Sequence, residues 1–175
     1  MAKTEDEIRE AVLITGLFGS GKSLVAVEMA DILEKRGVRY AVVDLDWLSW
    51  GWAGGDEQGA EHRMMLRNLA PVLGNYLDVG VRLFILARAI REGWELESLR
   101  ASLPVPLRVV ELRVPWAEIE RRLRSDVTTS RADDLRDATA WAASSDGSAI
   151  GEITVSNDRP IRDVATDILD RLGWP

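Results

Sequence analysis

Residues 11 to 23 read AVLITGLFGSGKS, an apolar run leading straight into a glycine-rich turn that ends in Lys22 and Ser23. This segment constrains the fold because each of its parts demands the next. Ala11 to Thr15 is short and continuously apolar, as expected of a strand buried on both faces of a parallel sheet. From Gly16 the residues match G-x-x-x-x-G-K-[ST] at every fixed position, the pattern of a loop whose backbone N–H groups converge on phosphate. Gly16, Gly19 and Gly21 permit backbone conformations closed to other residues, and the helix that follows turns the positive end of its dipole to the anion. On this reading Gly16, Phe18, Gly19, Ser20, Gly21, Lys22, Ser23 and Leu24 contact a nucleotide. Lys22 reaches the β- and γ-phosphates, and Ser23 gives its hydroxyl to Mg²⁺. The expected cofactors are therefore ATP and Mg²⁺.

The rest of the chain fits such a strand. Apolar strand-like runs alternate with helical ones, which predicts an α/β fold with a mainly parallel sheet. Strands are expected at 40 to 44, 81 to 87, 107 to 114 and 152 to 155. Helices are expected at 24 to 35, 60 to 79, 94 to 102, 115 to 125, 133 to 143 and 160 to 172. A length of 175 residues with 46% apolar content suggests one domain over 1–175 with a packed core. The chain has no cysteine and one histidine, His62, which excludes a disulfide framework, a thiol nucleophile and a histidine-based metal cluster. Residues 1 to 10 are charged and form neither a signal-peptide core nor a membrane span, so the expected location is the cytoplasm, with no membrane partner. A net charge of −7 argues against a broad nucleic-acid surface.

Asp44 and Asp46 follow at the carboxyl end of the second predicted strand. Strand alternation sends both carboxylates to one face and Leu45 to the other. One acid then helps hold hydrated Mg²⁺, and the other orients an acceptor hydroxyl and takes its proton; we assign Asp44 to the metal and Asp46 to the hydroxyl. Capping of the turn after the strand is the competing reading for an Asp in this position. The third predicted strand, LFILA at 83 to 87, lacks the acid with which many ATPases and GTPases hold Mg²⁺ and water there.

With GLFGSGKS at 16 to 23, DLD at 44 to 46 and VSNDRP at 155 to 160 before a last helix, the chain resembles the small P-loop kinases of the nucleoside monophosphate kinase-like group. It resembles especially the adenylylsulfate, shikimate and gluconate kinases of that group. The resemblance implies a three-layer P-loop NTPase fold, with a five-stranded parallel sheet in the order 2-3-1-4-5 and helices on both faces. It also implies a substrate-binding segment at about 47–80 and a short arginine-bearing lid at about 121–135. Arg121, Arg122, Arg124 and Arg131 fall in that lid, and Arg124 and Arg131 are taken as those that offset charge on the transferring phosphoryl group. Many relatives read R-L-x-x-R at the lid entrance, whereas here Arg122 begins RLRSD. Residues 155 to 160 resemble the adenine-contacting loop, with backbone groups of Asn157 and Asp158 at the base edge and Arg159 along the ring.

For the acceptor, residues 47 to 56 (WLSWGWAGGD) place three tryptophans in a glycine-rich loop, where Trp47 and Trp50 offer rigid faces to a planar or sugar-like molecule. Arg63, Arg67 and Arg88 are candidate anion contacts, as is Arg91. His62 reads as a polar helix residue, since the chemistry already has a base. The function expected is an ATP-dependent small-molecule kinase, a phosphotransferase with an alcohol-group acceptor, acting as monomer or homodimer. Nucleotide-like acceptors of the adenylylsulfate type lead, with sugars or an antibiotic following. A nucleotide-responsive binding protein and a slow ATPase remain as alternatives from other classes.

Overall fold

The computed structural model describes residues 8–51, 59–125, 136, 138–140 and 150–175. Its central strand is β1 (Glu10–Thr15), and the glycine-rich turn leads from it into α1 (Lys22–Lys35). Then follow β2 (Tyr40–Asp44), a single 3-10 turn (Leu45–Leu48), α2 (Ala60–Asp78), β3 (Leu83–Ala87), α3 (Gly93–Ser102), β4 (Leu107–Arg113), α4 (Trp116–Ser125), β5 (Ile153–Ser156) and α5 (Ile161–Leu172). The five strands form one sheet in the order β2-β3-β1-β4-β5, and every pairing is parallel. This is the order implied by the family resemblance.

Alternation along β1 divides the core. Val12 and Ile14 face one layer, where Val25, Met29 and Leu33 of α1 meet Val164, Ile168 and Leu169 of α5. Ala11 and Leu13 face the other, against Met65, Leu69 and Leu73 of α2 and Leu99 of α3. Helices therefore cover both faces, as an all-parallel sheet requires. Trp174, just past α5, is buried in the first layer and donates its Nε1–H to Glu10 Oε2 at 2.8 Å.

Helix α2 runs unbroken through Pro71. Helix α3 opens with a reciprocal capping box between Glu92 and Glu95. The helix expected at 133 to 143 lies mostly outside the described residues, as do Trp52 and the following residues to 58. No helix among the described residues is long and apolar enough to cross a membrane.

Candidate active site

Because all strands are parallel, the connections after β1, β2 and β3 emerge at one edge of the sheet, where such folds bind ligands. The loop after β1 takes its shape from its glycines. Gly16, Gly19 and Gly21 have φ of 140°, 78° and 91°. At Gly16 a Cβ would lie 2.6 Å from the Leu112 carbonyl oxygen, and at Gly21 it would lie 2.6 Å from Asn157 Nδ2. These positions thus exclude side chains by backbone conformation and by space together. Lys22 folds back over the loop, its Nζ donating to the carbonyls of Gly16 (3.1 Å) and Leu17 (3.0 Å) and lying 5.4 Å from the Phe18 ring centroid. Ser20 is fully buried in the loop, whereas Leu24 is largely exposed.

Ser23, in the first turn of α1, donates its hydroxyl to Asp44 Oδ2 at 2.8 Å. Two oxygen groups from separate elements thereby meet beside the phosphate loop. That donor set suits Mg²⁺, which takes one or two protein oxygens and completes its shell with water and phosphate. Among the described residues no cluster of three or more His, Asp or Glu side chains competes as a metal site.

Strand β2 stops at Asp44, so Asp46 stands in the 3-10 turn and not on the strand, which corrects the alternation argument. The turn forms because Asp44 Oδ1 caps it, accepting from the Asp46 N–H at 3.2 Å. One carboxylate thus performs both readings, capping with one oxygen and meeting Ser23 with the other. Buried Leu45 anchors the turn in the core. Arg88, just past β3 and only 8% exposed, donates to Asp46 Oδ1 at 2.9 Å and to Glu61 Oε1 of α2 at 3.4 Å. Partial burial raises the Asp46 carboxyl above its ordinary range; Arg88 opposes this, Asp44 adds to it, Lys22 opposes it and Glu61 adds to it. A carboxylate so placed is a better proton acceptor than an ordinary Asp.

No family model matches the chain. A probable adenylyl-sulfate kinase of Aeropyrum pernix is 28% identical over 128 residues, covering 66% of this chain and 70% of that protein. Among solved structures, the Mycobacterium tuberculosis APS kinase in complex with AMPPNP and APS superposes with a TM-score of 0.68 at 24% identity, covering 94% of this chain and 98% of the other. The tunicamycin resistance protein of Deinococcus radiodurans gives a TM-score of 0.65 at 15% identity, covering 95% and 97%. The chain is similar in sequence to small P-loop kinases of this group and shares their fold. It is an ATP-dependent phosphotransferase for a small molecule.

Of the described lid arginines, the one that meets the phosphate loop is Arg122, whereas Arg124 and Arg131 are those the sequence singles out. Helix α4 rests on the loop through Ile119 and Leu123, whose side chains lie against Gly19. From the same face Arg122 Nη2 donates to the Asn157 carbonyl at 3.0 Å and Nη1 reaches the Gly19 carbonyl at 3.5 Å, while Nε bonds Glu118 at 2.7 Å. Arg124 instead turns outward to Glu120 at 2.6 Å and is largely exposed. Arg121 pairs with Glu118, whose carboxyl it and Arg122 together pull down to about 2. Arg131 lies outside the described residues. The periodic signal was present, since Arg122 is three residues past Ile119 and adjacent to Leu123.

Asn157 is buried, and its Nδ2 donates to the Ser20 carbonyl at 2.7 Å. Its backbone N–H donates to the Arg113 carbonyl and its own carbonyl accepts from Arg122. Arg159 pairs with Asp167 of α5 at 2.5 Å, and Asp158 is exposed. Segment 155 to 160 thus braces the phosphate loop from below.

On the acceptor side, Trp47 and Trp50 stack on one another, with centroids 4.6 Å apart and planes at 22°. Both are exposed, by 67% and 74%. Arg63 and Arg67 are exposed on α2. Buried His62 bonds Ser98 Oγ through Nε2 at 2.8 Å and sits edge-on to Trp94, so it joins α2 to α3.

Proposed function

We propose that this kinase transfers the γ-phosphoryl group of ATP·Mg to an acceptor hydroxyl that Asp46 orients and deprotonates. The observation that carries the reading is the placement of Asp46, held by Arg88 through Oδ1 beside the Ser23–Asp44 pair. The loop amides and Lys22 would hold the phosphates, Ser23 and Asp44 the Mg²⁺, and Arg122 would carry positive charge to the loop from α4. Bound Mg²⁺ would supply neutralisation of the phosphate charge. The remaining work falls to the protein: alignment of the hydroxyl with the γ-phosphorus, removal of its proton and exclusion of water.

The names of the relatives suggest two acceptor classes to try, adenylylsulfate and antibiotics of the tunicamycin kind. The test of mechanism is Asp46→Asn. Turnover is expected to fall by about 10² to 10⁴ while AMPPNP binding persists. Unchanged turnover would remove Asp46 from the chemistry.

A further inference from the structure

The acceptor side carries a charge pattern at odds with an anionic substrate. Arg88, the buried cation at Asp46, is already divided between two carboxylates, those of Asp46 and Glu61. Together the three groups sum to one negative charge. Lys22 lies over the phosphate loop, and Arg91 places its guanidinium 5.2 Å from the Phe18 ring centroid. At about 100° per residue, Arg63 and Arg67 stand roughly 200° and 240° around α2 from Glu61, on the side turned from the Arg88 bridge. At the Arg88 cluster itself, an incoming phosphate, sulfate or carboxylate meets two carboxylates against one guanidinium.

Shape points the same way. The loop bearing the stacked tryptophans is pinned to α2 at two places, by Ser49 Oγ donating to Glu61 Oε1 at 3.2 Å and by Asn68 Nδ2 donating to the Leu48 carbonyl at 2.6 Å. The platform is thus fixed next to Asp46 and needs little ordering when a ligand arrives. Aromatic faces take the C–H face of a ring, and carboxylates accept hydrogen bonds from hydroxyls at its rim.

We infer that the acceptor is an uncharged polyhydroxylated ring, a sugar or a glycoside, seated on the Trp47–Trp50 stack with hydroxyls directed to Asp46 and Glu61. This rests on the kinase reading, with Asp46 as base. In the transfer, the acceptor oxygen forms a bond to the γ-phosphorus as the bond to the β,γ-bridging oxygen breaks. ADP leaves with that electron pair, and the hydroxyl proton passes to Asp46 Oδ2.

The test uses the full chain with ATP·Mg for turnover and AMPPNP·Mg for binding, and offers methyl glucoside, methyl galactoside, N-acetylglucosamine and adenylylsulfate. At least one sugar is expected to raise ADP release about tenfold over the acceptor-free rate, and adenylylsulfate is not. Trp50→Ala should raise KM for that sugar about tenfold with kcat changed less than about threefold, the mark of lost ground-state binding. Glu61→Gln, which removes one of the carboxylates holding Arg88, should strengthen adenylylsulfate binding severalfold, a gain that mere structural damage would not produce. Turnover with adenylylsulfate and no sugar would overturn the inference and leave the kinase reading standing. So would AMPPNP binding with no sugar bound or turned over, or sugar binding that survives replacement of both tryptophans by alanine. Failure of AMPPNP itself to bind would remove the kinase reading, and this inference with it.

Discussion

Gly21 and Asn157 are separated by most of the chain, yet the structure makes their energetic contributions overlap, and a double-mutant cycle measures the overlap. In Gly21→Ala the new residue must hold a left-handed backbone with φ of 91°, which costs about 1–2 kcal/mol. Its Cβ would also fall 2.6 Å from Asn157 Nδ2, so the amide must move and give up its 2.7 Å bond to the Ser20 carbonyl. An unpaired buried carbonyl costs about 1–3 kcal/mol, bringing the variant to about 2–5 kcal/mol. Asn157→Ala loses the same hydrogen bond and should cost about 1–3 kcal/mol. Simple addition gives about 3–8 kcal/mol. In the double variant the bond can be lost only once, so the expected cost returns to about 2–5 kcal/mol, with a coupling of about 1–3 kcal/mol. Equilibrium urea unfolding of the four proteins, followed by far-UV circular dichroism, provides the values. Additivity within about 0.5 kcal/mol would refute the reasoning, because it would mean that the methyl group introduced by Gly21→Ala leaves the Asn157 amide undisturbed.

Arg122→Ala should weaken AMPPNP binding by about 1–2 kcal/mol, roughly five- to thirtyfold, by releasing the carbonyls of Gly19 and Asn157, whereas Arg124→Ala, which breaks an exposed pair with Glu120, should change Kd less than about twofold; isothermal titration separates them, and equal losses would erase the distinction. Burial lowers the His62 pKa in the folded protein, with Glu95 opposing, so the unfolded chain binds that proton more readily. The His62 contribution is therefore complete above the unfolded value of about 6.5 and is lost as pH falls below it towards the folded pKa; urea midpoints between pH 5 and 8 should show this drop in the wild type and a flatter curve in His62→Gln. Trp174→Ala should cost about 3–5 kcal/mol from the lost ring, and Trp174→Phe about 1 kcal/mol from the lost bond to Glu10; near-equal melting temperatures for the two would show that ring burial contributes little there.

What the sequence revealed depended on how local the physical requirement was. The phosphate loop was legible because its glycine spacing is a demand of the backbone itself, and three of those glycines do take positive φ. Strand positions were legible from apolar runs, but their order came from the resemblance, since periodicity says which face a residue takes and not which strand lies beside it. Asp46 was placed near Asp44 by an argument that fails locally, because the chain leaves the strand at the residue whose side chain caps the turn. The bridge from Arg88 to Asp46 and Glu61 joins the residue after β3 to the 3-10 turn and to α2, and no pattern along one segment records it. For Asn157 no signal existed: a buried asparagine reaching the Ser20 carbonyl looks, in sequence, like any turn residue.

The all-parallel sheet has a consequence for how the chain acquires its structure. Val12 of the central strand sits opposite Ile85 of β3 on one side and Arg108 of β4 on the other. Among the described residues no pair of neighbouring strands is joined by a hairpin, so β1 has no nearby partner there with which to zip. Loop-closure entropy must be met before any of these pairings is rewarded, which makes folding slow for a chain of this size. Until β3 and β4 have been synthesised, the first strand, one of the most apolar segments of the protein, has nothing to pair with. It is then the segment most exposed to a wrong encounter, either with another nascent copy or with a chaperone.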